Sequence, residues 1–306
     1  MREFLLDPPG ISDIFLDSLN VSYGGWGDRE LFDWCFTRHV GVIRSQLLIC
    51  RVDGVPAYGT AIHYRNIIDP AGEIRKVAML GSGWTLPEFR GRGLSTEGIR
   101  KSLEIAAGQG CSGVVGFVRK ENPSRGNMER NGALMMDARY YTAGGDTAVS
   151  GCSMEEIGKE KALLLFEKIS GEALRDPIEF RYSVEEWSSQ FMDRPGFMRA
   201  FDLGGGSGFA VLRDRGEQFS LQYLALAPDL EFEEAMGSLM SISHSEHKEL
   251  FVYSTLKREW DVLDGMGFSF REGYMALFHP DDRSGKGEKR RGSLEGPWKV
   301  NNGDRM

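Results

Sequence analysis

The sequence has no excess of positive charge. Its 37 lysines and arginines are outnumbered by 45 aspartates and glutamates, which gives a formal net charge of −8 at pH 7. A protein that binds nucleic acid needs a basic surface to neutralise phosphates, so nucleic acid is not expected as the main partner. The sequence also has no apolar run approaching 18 residues, so we expect no membrane-spanning helix and no membrane partner.

Cysteine is scarce as well. Four cysteines are scattered through 306 residues without a C-x-x-C pair, which favours reduced, buried thiols over a disulfide framework. His244 and His247 stand three residues apart on a predicted helix but lack further ligands at suitable spacing, so no metal site is predicted. The first residues carry acids and prolines where a signal peptide needs an uninterrupted apolar core. We therefore expect a cytoplasmic protein.

The most informative stretch runs from Val77 to Arg100. An apolar run over Val77–Leu86 predicts a strand that ends at Pro87, and a helical pattern follows the intervening loop. The loop reads Arg90-Gly91-Arg92-Gly93-Leu94-Ser95. Unpaired N–H groups of such a loop and of the first helical turn point to one spot, where the helix dipole favours negative charge. Because glycine has no Cβ, the pattern predicts close approach of a phosphate to the backbone.

The loop differs from two common phosphate motifs. No Gly-Lys-Ser/Thr follows, as a Walker loop requires, and Thr96 stands where the dinucleotide fingerprint has its third glycine. The pattern Arg-x-x-Gly-x-Ser instead resembles the Arg/Gln-x-x-Gly-x-Gly/Ala loop of the GCN5-related N-acetyltransferases (GNAT), with Ser95 where the family usually has Gly or Ala. The resemblance implies that Arg90–Ser95 holds the pyrophosphate of acetyl-coenzyme A (acetyl-CoA). It also implies that the backbone of Trp84, Thr85 and Leu86 pairs with the pantetheine arm.

The order of predicted elements resembles the same fold over roughly the first 150 residues. We expect an α/β (α+β) fold with a mixed, mostly antiparallel sheet flanked by helices, repeated in a second half that lacks the loop. The expected domains are 1–152, which binds acetyl-CoA, 153–279, a degenerate copy, and 280–306, a flexible polar tail. Within them, residues 134–149 are predicted as strand and residues 154–169 as helix.

The resemblance also suggests residues that move protons. Family members often have a tyrosine that protonates the departing thiolate, but here Met128 occupies its position, and methionine has no proton to give. Tyr140 or Tyr141, on the next predicted strand, could take this role. Asn122 matches a family asparagine near the pantetheine, and it serves equally well as a helix cap.

The base that takes a proton from the substrate ammonium is left open. Glu73, His63 and Glu88 are near the predicted strands in sequence, and Glu73 is retained as the candidate. We expect Glu88 to be exposed and His63 to be an ordinary strand residue, and a chain of waters is a further alternative.

The function implied by the resemblance is transfer of an acetyl group from acetyl-CoA to a primary amine by direct attack on the thioester. We expect a small-molecule acceptor rather than a protein, and the oligomeric state is left open. One alternative is transfer of a larger acyl group, or action on a protein N-terminus or lysine. Another is a non-catalytic module that binds acyl-CoA, which the missing tyrosine favours.

Overall fold

A computed structural model of the chain describes residues 1–38, 40–41, 43–144, 151–172, 177–279 and 294–305. The first half contains β1 (Arg2–Leu6), α1 (Ile11–Tyr23), α2 (Arg29–Phe32), β2 (Gln46–Val52), β3 (Val55–Ile68), β4 (Ile74–Thr85), α3 (Leu94–Gly108), β5 (Gly113–Arg119), α4 (Ser124–Arg130) and β6 (Leu134–Ala143). The second half contains β7 (Met154–Ile157), α5 (Lys159–Glu172), β8 (Ile178–Arg181), α6 (Val184–Trp187), β9 (Phe197–Leu203), β10 (Gly208–Asp214), β11 (Gln218–Leu226), α7 (Phe232–Ser245), β12 (Glu249–Ser254), α8 (Lys257–Gly265), β13 (Ser269–Phe278) and β14 (Trp298–Lys299).

All the strands of the described residues belong to one mixed sheet. Its order is β1-β2-β3-β4-β5-β13-β6-β12-β11-β10-β9-β7, with β8 against β3 and β14 against β8. Neighbours are antiparallel except at β4–β5, β11–β12 and β8–β14, which are parallel. The expected fold class, a mostly antiparallel mixed sheet flanked by helices, is therefore confirmed.

The two halves exchange their last strands. β13 lies between β5 and β6, and β6 lies between β13 and β12, so each half is completed by a strand of the other. β13 suits this central position because its last four residues, Met275–Phe278, are at most 1% exposed and face apolar clusters on both sides of the sheet. The order β9-β10-β11-α7-β12-α8-β13 repeats β2-β3-β4-α3-β5-α4-β6, but neither copy has a complete sheet of its own.

Helices cover each face of the sheet. α3 places Ile99, Leu103 and Ala106 on the β4–β5–β13 region, with Met128 of α4 beside them. The opposite face of these strands packs against α5 and the α6 segment of the second half, around Trp187. Helices α1 and α2 close one end of β2–β4, while α7 and α8 cover the second half. No helix in the described ranges is long and apolar enough to cross a membrane.

Close packing of α3 onto the sheet depends on one glycine. A Cβ placed on Gly98 would lie 2.1 Å from the ring of Tyr58, which is itself buried on β3. Since real contacts of that length do not occur, the helix can reach this depth only with glycine at position 98. This contact fixes the height of the N-terminal turn of α3 above the sheet.

Several boundaries differ from the sequence-based predictions. Residues 154–157 form edge strand β7, paired with β9 from Met154↔Leu203 onward, and α5 begins only at Lys159. The predicted helix over 154–169 was therefore wrong at its start, because pairing with β9 overrides the local pattern. Strand β6 ends at Ala143, and residues 145–149 of the predicted strand lie outside the described residues. The sequence reading also missed β1 and β8.

Residues 294–305 do not form the flexible tail expected for 280–306. Leu294, Trp298, Val300 and Asp304 are at most 3% exposed, and β14 pairs in parallel with β8. The prediction failed because this region is mostly polar and lacks periodicity, and its few apolar residues, which pack against the second half, give no recognisable pattern. Residues 280–293 lie outside the described part of the chain.

Asp304 gives the stability of this C-terminal segment a pH dependence. Its carboxylate accepts hydrogen bonds from the Tyr182 hydroxyl (2.8 Å) and the Asn301 N–H (2.6 Å), and burial raises its pKa to about 7. A carboxyl whose pKa is raised by folding stabilises the native state below its unfolded pKa and loses that contribution as pH rises through the folded pKa. In Asp304→Asn, the group that titrates is absent.

We therefore expect the free energy of unfolding of the parent to fall relative to Asp304→Asn between pH 5 and pH 8. The slope should approach about 1.4 kcal/mol per pH unit at its steepest. Urea unfolding of both proteins across this range measures the difference. A difference that is flat or rises with pH would contradict the raised pKa of Asp304.

Candidate functional site

The site begins where strands β4 and β5 separate. They pair only from Val77↔Gly113 to Leu80↔Gly116. Immediately beyond, the register against β3 shifts from Ala61↔Gly81 to Gly59↔Trp84, so β4 has one more residue than its partner. This β-bulge places Ser82 at φ 50°, and a bulge bends its strand, which turns β4 away from β5.

The opening is a cleft of about 810 Å³. Its walls are the end of β4, the loop after it, the first turns of α3, the end of β5 and α4. Of the sequence-predicted ligand-binding residues it brings together Trp84, Thr85, Arg90, Gly91, Arg92, Gly93, Leu94, Ser95 and Asn122. Leu86 is not among the lining residues, and its N–H donates to the Ala57 carbonyl (3.1 Å), which leaves that group unavailable.

The loop presents its backbone to open space. Gly91 and Gly93 have φ 76° and 77°, and a Cβ on either would meet no atom within 4 Å. Gly93 is the N-cap of α3, and no side chain caps that helix. Within the described residues, the backbone N–H groups of 91–96 donate to no other protein group. Six free donors at the positive end of a 15-residue helix make a site for an anion.

The two loop arginines fold back along the loop. Arg90 Nε donates to the Thr85 carbonyl (3.2 Å), and Arg92 Nη2 donates to the Glu88 carbonyl (2.9 Å). Both side chains are exposed, as is Glu88, in agreement with the sequence-based expectation for that residue. These contacts fix the loop while keeping two positive charges beside the free N–H groups.

Two asparagines connect α4 to the cleft. Asn122 Oδ1 accepts from the Ser124 N–H (2.9 Å), so the residue stabilises the start of α4 and also lines the cleft. Asn127 donates to Ser95 Oγ (3.1 Å) and accepts from Thr96 Oγ1 (3.3 Å), which ties α4 to the first turn of α3. Sequence reasoning missed Asn127, although it directly precedes Met128 in the run matched to the family's tyrosine.

The sequence-predicted acid and base candidates lie elsewhere. The Tyr140 hydroxyl accepts from Arg305 Nη2 (3.1 Å), on the face of the sheet opposite α3. The Tyr141 hydroxyl lies between Arg139 (2.9 Å) and Asp264 (3.1 Å), and burial raises its pKa to about 12. Glu73 pairs with Arg75 next to the β3–β4 turn. None of the three lines the cleft.

His63 is a buried strand residue. Its Nδ1 is 2.8 Å from Ser45 Oγ, and its ring stacks on Phe36 with 5.8 Å between centroids. Burial lowers the pKa of the imidazole well below its usual value, with nearby Arg65 contributing in the same direction. It is therefore neutral at neutral pH, and it does not line the cleft.

Sequence reasoning missed a tyrosine that does lie in the cleft. Tyr23 is the last residue of α1, and its hydroxyl donates to the Gly83 carbonyl in the bulged part of β4. Tyr23 is 55% exposed, and the partial burial of its phenol raises the pKa, a shift that nearby Arg90 opposes, so the phenol is protonated at neutral pH. The described residues that line the cleft include no Asp, Glu, His or Cys. Tyr23 is 60 residues from Gly83, and no local signal in the sequence connects them.

The second half has a corresponding cleft with a different character. β11 and β12 pair only from Gln218↔Glu249 to Ser220↔Phe251 and then separate around a cavity of about 900 Å³. The segment before α7, Pro228–Glu231, has no glycine and carries two acids. The C-terminal segment enters this cleft, where Asn301 Oδ1 accepts from the Leu224 N–H (3.1 Å). The segment before α7 therefore offers a phosphate neither glycines that allow close approach nor a positively charged side chain.

Known structures share this architecture. No protein-family model matches the chain, and no curated protein matches it by sequence. A GCN5-related N-acetyltransferase from Anabaena variabilis superposes with a TM-score of 0.66 at 13% identity, covering 92% of this chain and 73% of that one. Saccharomyces cerevisiae N-myristoyltransferase, solved with bound myristoyl-CoA, gives 0.65 at 11% identity, with coverages of 90% and 80%. A tandem GNAT protein from the clavulanic acid biosynthesis pathway gives 0.59 at 12% identity, with coverages of 92% and 99%.

At such low identity the similarity establishes the fold alone. The chain has the GNAT fold, as its loop and element order predicted.

Proposed function

We propose that the protein is an acyl-CoA-dependent N-acyltransferase that moves an acetyl group from acetyl-CoA to a primary amine. The observation that carries the proposal is the row of free backbone N–H groups of residues 91–96, at the N-terminus of α3 and beside the separated strands. These donors suit the diphosphate of coenzyme A, and the positive charges of Arg90 and Arg92 supplement them.

The separated strand suits the pantetheine arm. Beyond Leu80, β4 is no longer paired with β5, so backbone groups on that edge can bond an extended chain as an added strand would. Trp84 and Thr85 lie along this edge and line the cleft. Backbone N–H groups near the bulge at Ser82 would polarise the thioester carbonyl and stabilise the charge that develops on its oxygen.

Tyr23 is the proposed proton donor. When the amine attacks the thioester, a C–N bond forms and the C–S bond breaks. The departing sulfur takes a proton from the donor, and the attacking nitrogen releases one to solvent, from which the donor is reprotonated. The Tyr23 phenol is protonated at neutral pH and contacts the bulged segment of β4 from the end of α1, so it can supply that proton. Because the described lining residues include no carboxylate or imidazole, we infer that the ammonium of the acceptor loses its proton to water.

Only the first cleft is proposed to bind acyl-CoA. The second has acids where the first has glycines and arginines, and Asn301 already occupies a backbone donor of β11. We assign residues 1–152 to the copy that binds acyl-CoA and 153–279 to the degenerate copy, each completed by the last strand of the other. The second half then contributes to the sheet of the first and to the face opposite α3.

Thermal stabilisation by acetyl-CoA, together with release of coenzyme A thiol across a panel of primary amines, tests the proposal. We expect stabilisation and thiol release with at least one amine, and slower release from longer acyl-CoA donors. Stabilisation without release for any amine would instead indicate a non-catalytic acyl-CoA-binding module. Absence of stabilisation would overturn the assignment of the cleft.

A further inference from the structure

A third cavity, of about 680 Å³, lies on the face of the sheet opposite α3, where the two halves meet. Its walls come from β5, β6, β11, β12, β13 and the C-terminal turn, and Glu249 is the one carboxylate among the described residues that line it. We call it the arginine cavity, because its lining includes Arg119, Arg194, Arg215, Arg271 and Arg305.

Two of these arginines form the inner wall. Arg194 is 5% exposed; its Nη1 donates to Gln222 (2.6 Å), and its Nε has no hydrogen-bond partner in the described part of the chain. Arg305 donates to the Tyr140 hydroxyl (3.1 Å) and to Asn302 (3.0 Å), and its Nε also lacks a partner there. Neither guanidinium is paired with a carboxylate of the described residues, an unfavourable arrangement for a charge as buried as that of Arg194.

The other three arginines form the exposed rim. Arg215 and Arg271 make no ion pair with any described carboxylate, and Arg119 makes only an exposed one with Glu121, at 3.7 Å. Burial and the neighbouring arginines lower the pKa of Arg194 to about 9. In a chain with a net charge of −8, this local concentration of positive charge is not a consequence of composition.

Phe117 lies between the first cleft and the arginines of the arginine cavity. This residue lines the cleft and lies two positions before Arg119, on the same face of β5. Its ring is 5.8 Å from Arg305 Cζ and 6.1 Å from the ring of Tyr253. A molecule held by the arginines can therefore extend past Phe117 towards the end of β4.

We propose that the arginine cavity binds an anionic group of the acceptor, a carboxylate or a phosphate, and so selects amines that carry negative charge. Planar guanidinium groups bind both oxyanions through paired N–H donors, and an anion would compensate the unpaired charges of Arg194 and Arg305. The selection of amines rests on the proposed function, whereas binding of the anion does not.

The first test measures anion binding without any reaction. Citrate and inorganic pyrophosphate are titrated calorimetrically into the parent, the double variant Arg215→Ala/Arg271→Ala, and Arg44→Ala. Arg44 is an exposed arginine that lines none of the described cavities, so it controls for the loss of surface charge. We expect the parent and Arg44→Ala to bind at least one probe equally, and the double variant to bind it at least 10-fold more weakly. No binding to the parent, or equal binding to the double variant, would overturn the proposal.

The second test separates this inference from the proposed function. Acetyl-CoA should stabilise all three proteins equally, because the two substituted arginines lie outside the cleft. For an amine with a carboxylate or phosphate, the double variant should raise KM at least 10-fold with little change in kcat, and a neutral amine should be unaffected. Anion binding without turnover of any amine would refute the proposed function alone. Turnover with no preference for anionic amines would refute the selection proposed here.

Discussion

Replacing Gly93 with aspartate will strongly weaken acetyl-CoA binding in a protein that stays folded. Gly93 has φ 77° and opens α3 with free N–H groups around it. Aspartate tolerates the left-handed conformation better than most residues, and at an N-cap it accepts hydrogen bonds from the first turn. The new carboxylate would therefore occupy the donors proposed to bind the diphosphate, and it would repel that anion. We expect a loss of at least about 100-fold in affinity, or about 2.7 kcal/mol.

Gly110→Asp is the matched control. Gly110 follows the other end of α3 with φ 71°, and an added Cβ there also meets no atom within 4 Å. The backbone strain of the two substitutions is therefore similar, but only position 93 lies in the cleft. Calorimetric titration of both variants with acetyl-CoA, after circular dichroism confirms their folding, measures the difference. Equal affinity of a folded Gly93→Asp variant and the parent would show that this loop does not hold the diphosphate.

Replacing Tyr23 with phenylalanine will lower kcat while leaving acetyl-CoA binding nearly unchanged. The substitution removes only the hydroxyl that donates to the Gly83 carbonyl, and the ring can stay in place. Loss of a positioned proton donor commonly reduces rates by about 10²–10⁴-fold. Because burial raises the pKa of Tyr23, the parent should keep its activity to high pH and lose it only as the phenol ionises.

Tyr274→Phe provides the control for this experiment. Tyr274 is on β13, does not line the cleft, and packs beneath the Arg125 guanidinium. Steady-state kinetics with a reactive amine, across a range of pH, should show the rate loss in Tyr23→Phe alone. A Tyr23→Phe variant with parental kcat and pH profile would exclude the hydroxyl as proton donor.

The strand-loop-helix conformation around Arg90–Ser95 was predictable because all its determinants are neighbours in sequence. Pro87 ends a strand, two glycines permit positive φ, and the apolar periodicity of the following helix starts at once. The structure has the same order, with Gly93 as the N-cap of α3. The sequence did not predict the bulge that separates β4 from β5. A bulge is a shift in the pairing register between β4 and β3, and local sequence patterns do not specify that register.

The position of a tyrosine relative to the cleft could not be predicted from neighbouring residues in the sequence. Tyr140 and Tyr141 follow α4 closely in sequence, but β13 lies between β5 and β6 and holds β6 one strand further from the cleft, about 4.8 Å. Tyr23 reaches the cleft because α1 packs over the end of β4, a contact across 60 residues. The arginine cavity likewise combines residues from distant parts of both halves.

The sequence by itself determined the strand-loop-helix unit around residues 77–108 and most individual elements, because backbone conformation and amphipathic periodicity depend on near neighbours. Only the tertiary structure decided which strands lie side by side, how the last strands are exchanged, and which side chains face each cavity. Those outcomes depend on pairing and packing between residues far apart in the chain, for which local patterns carry no information.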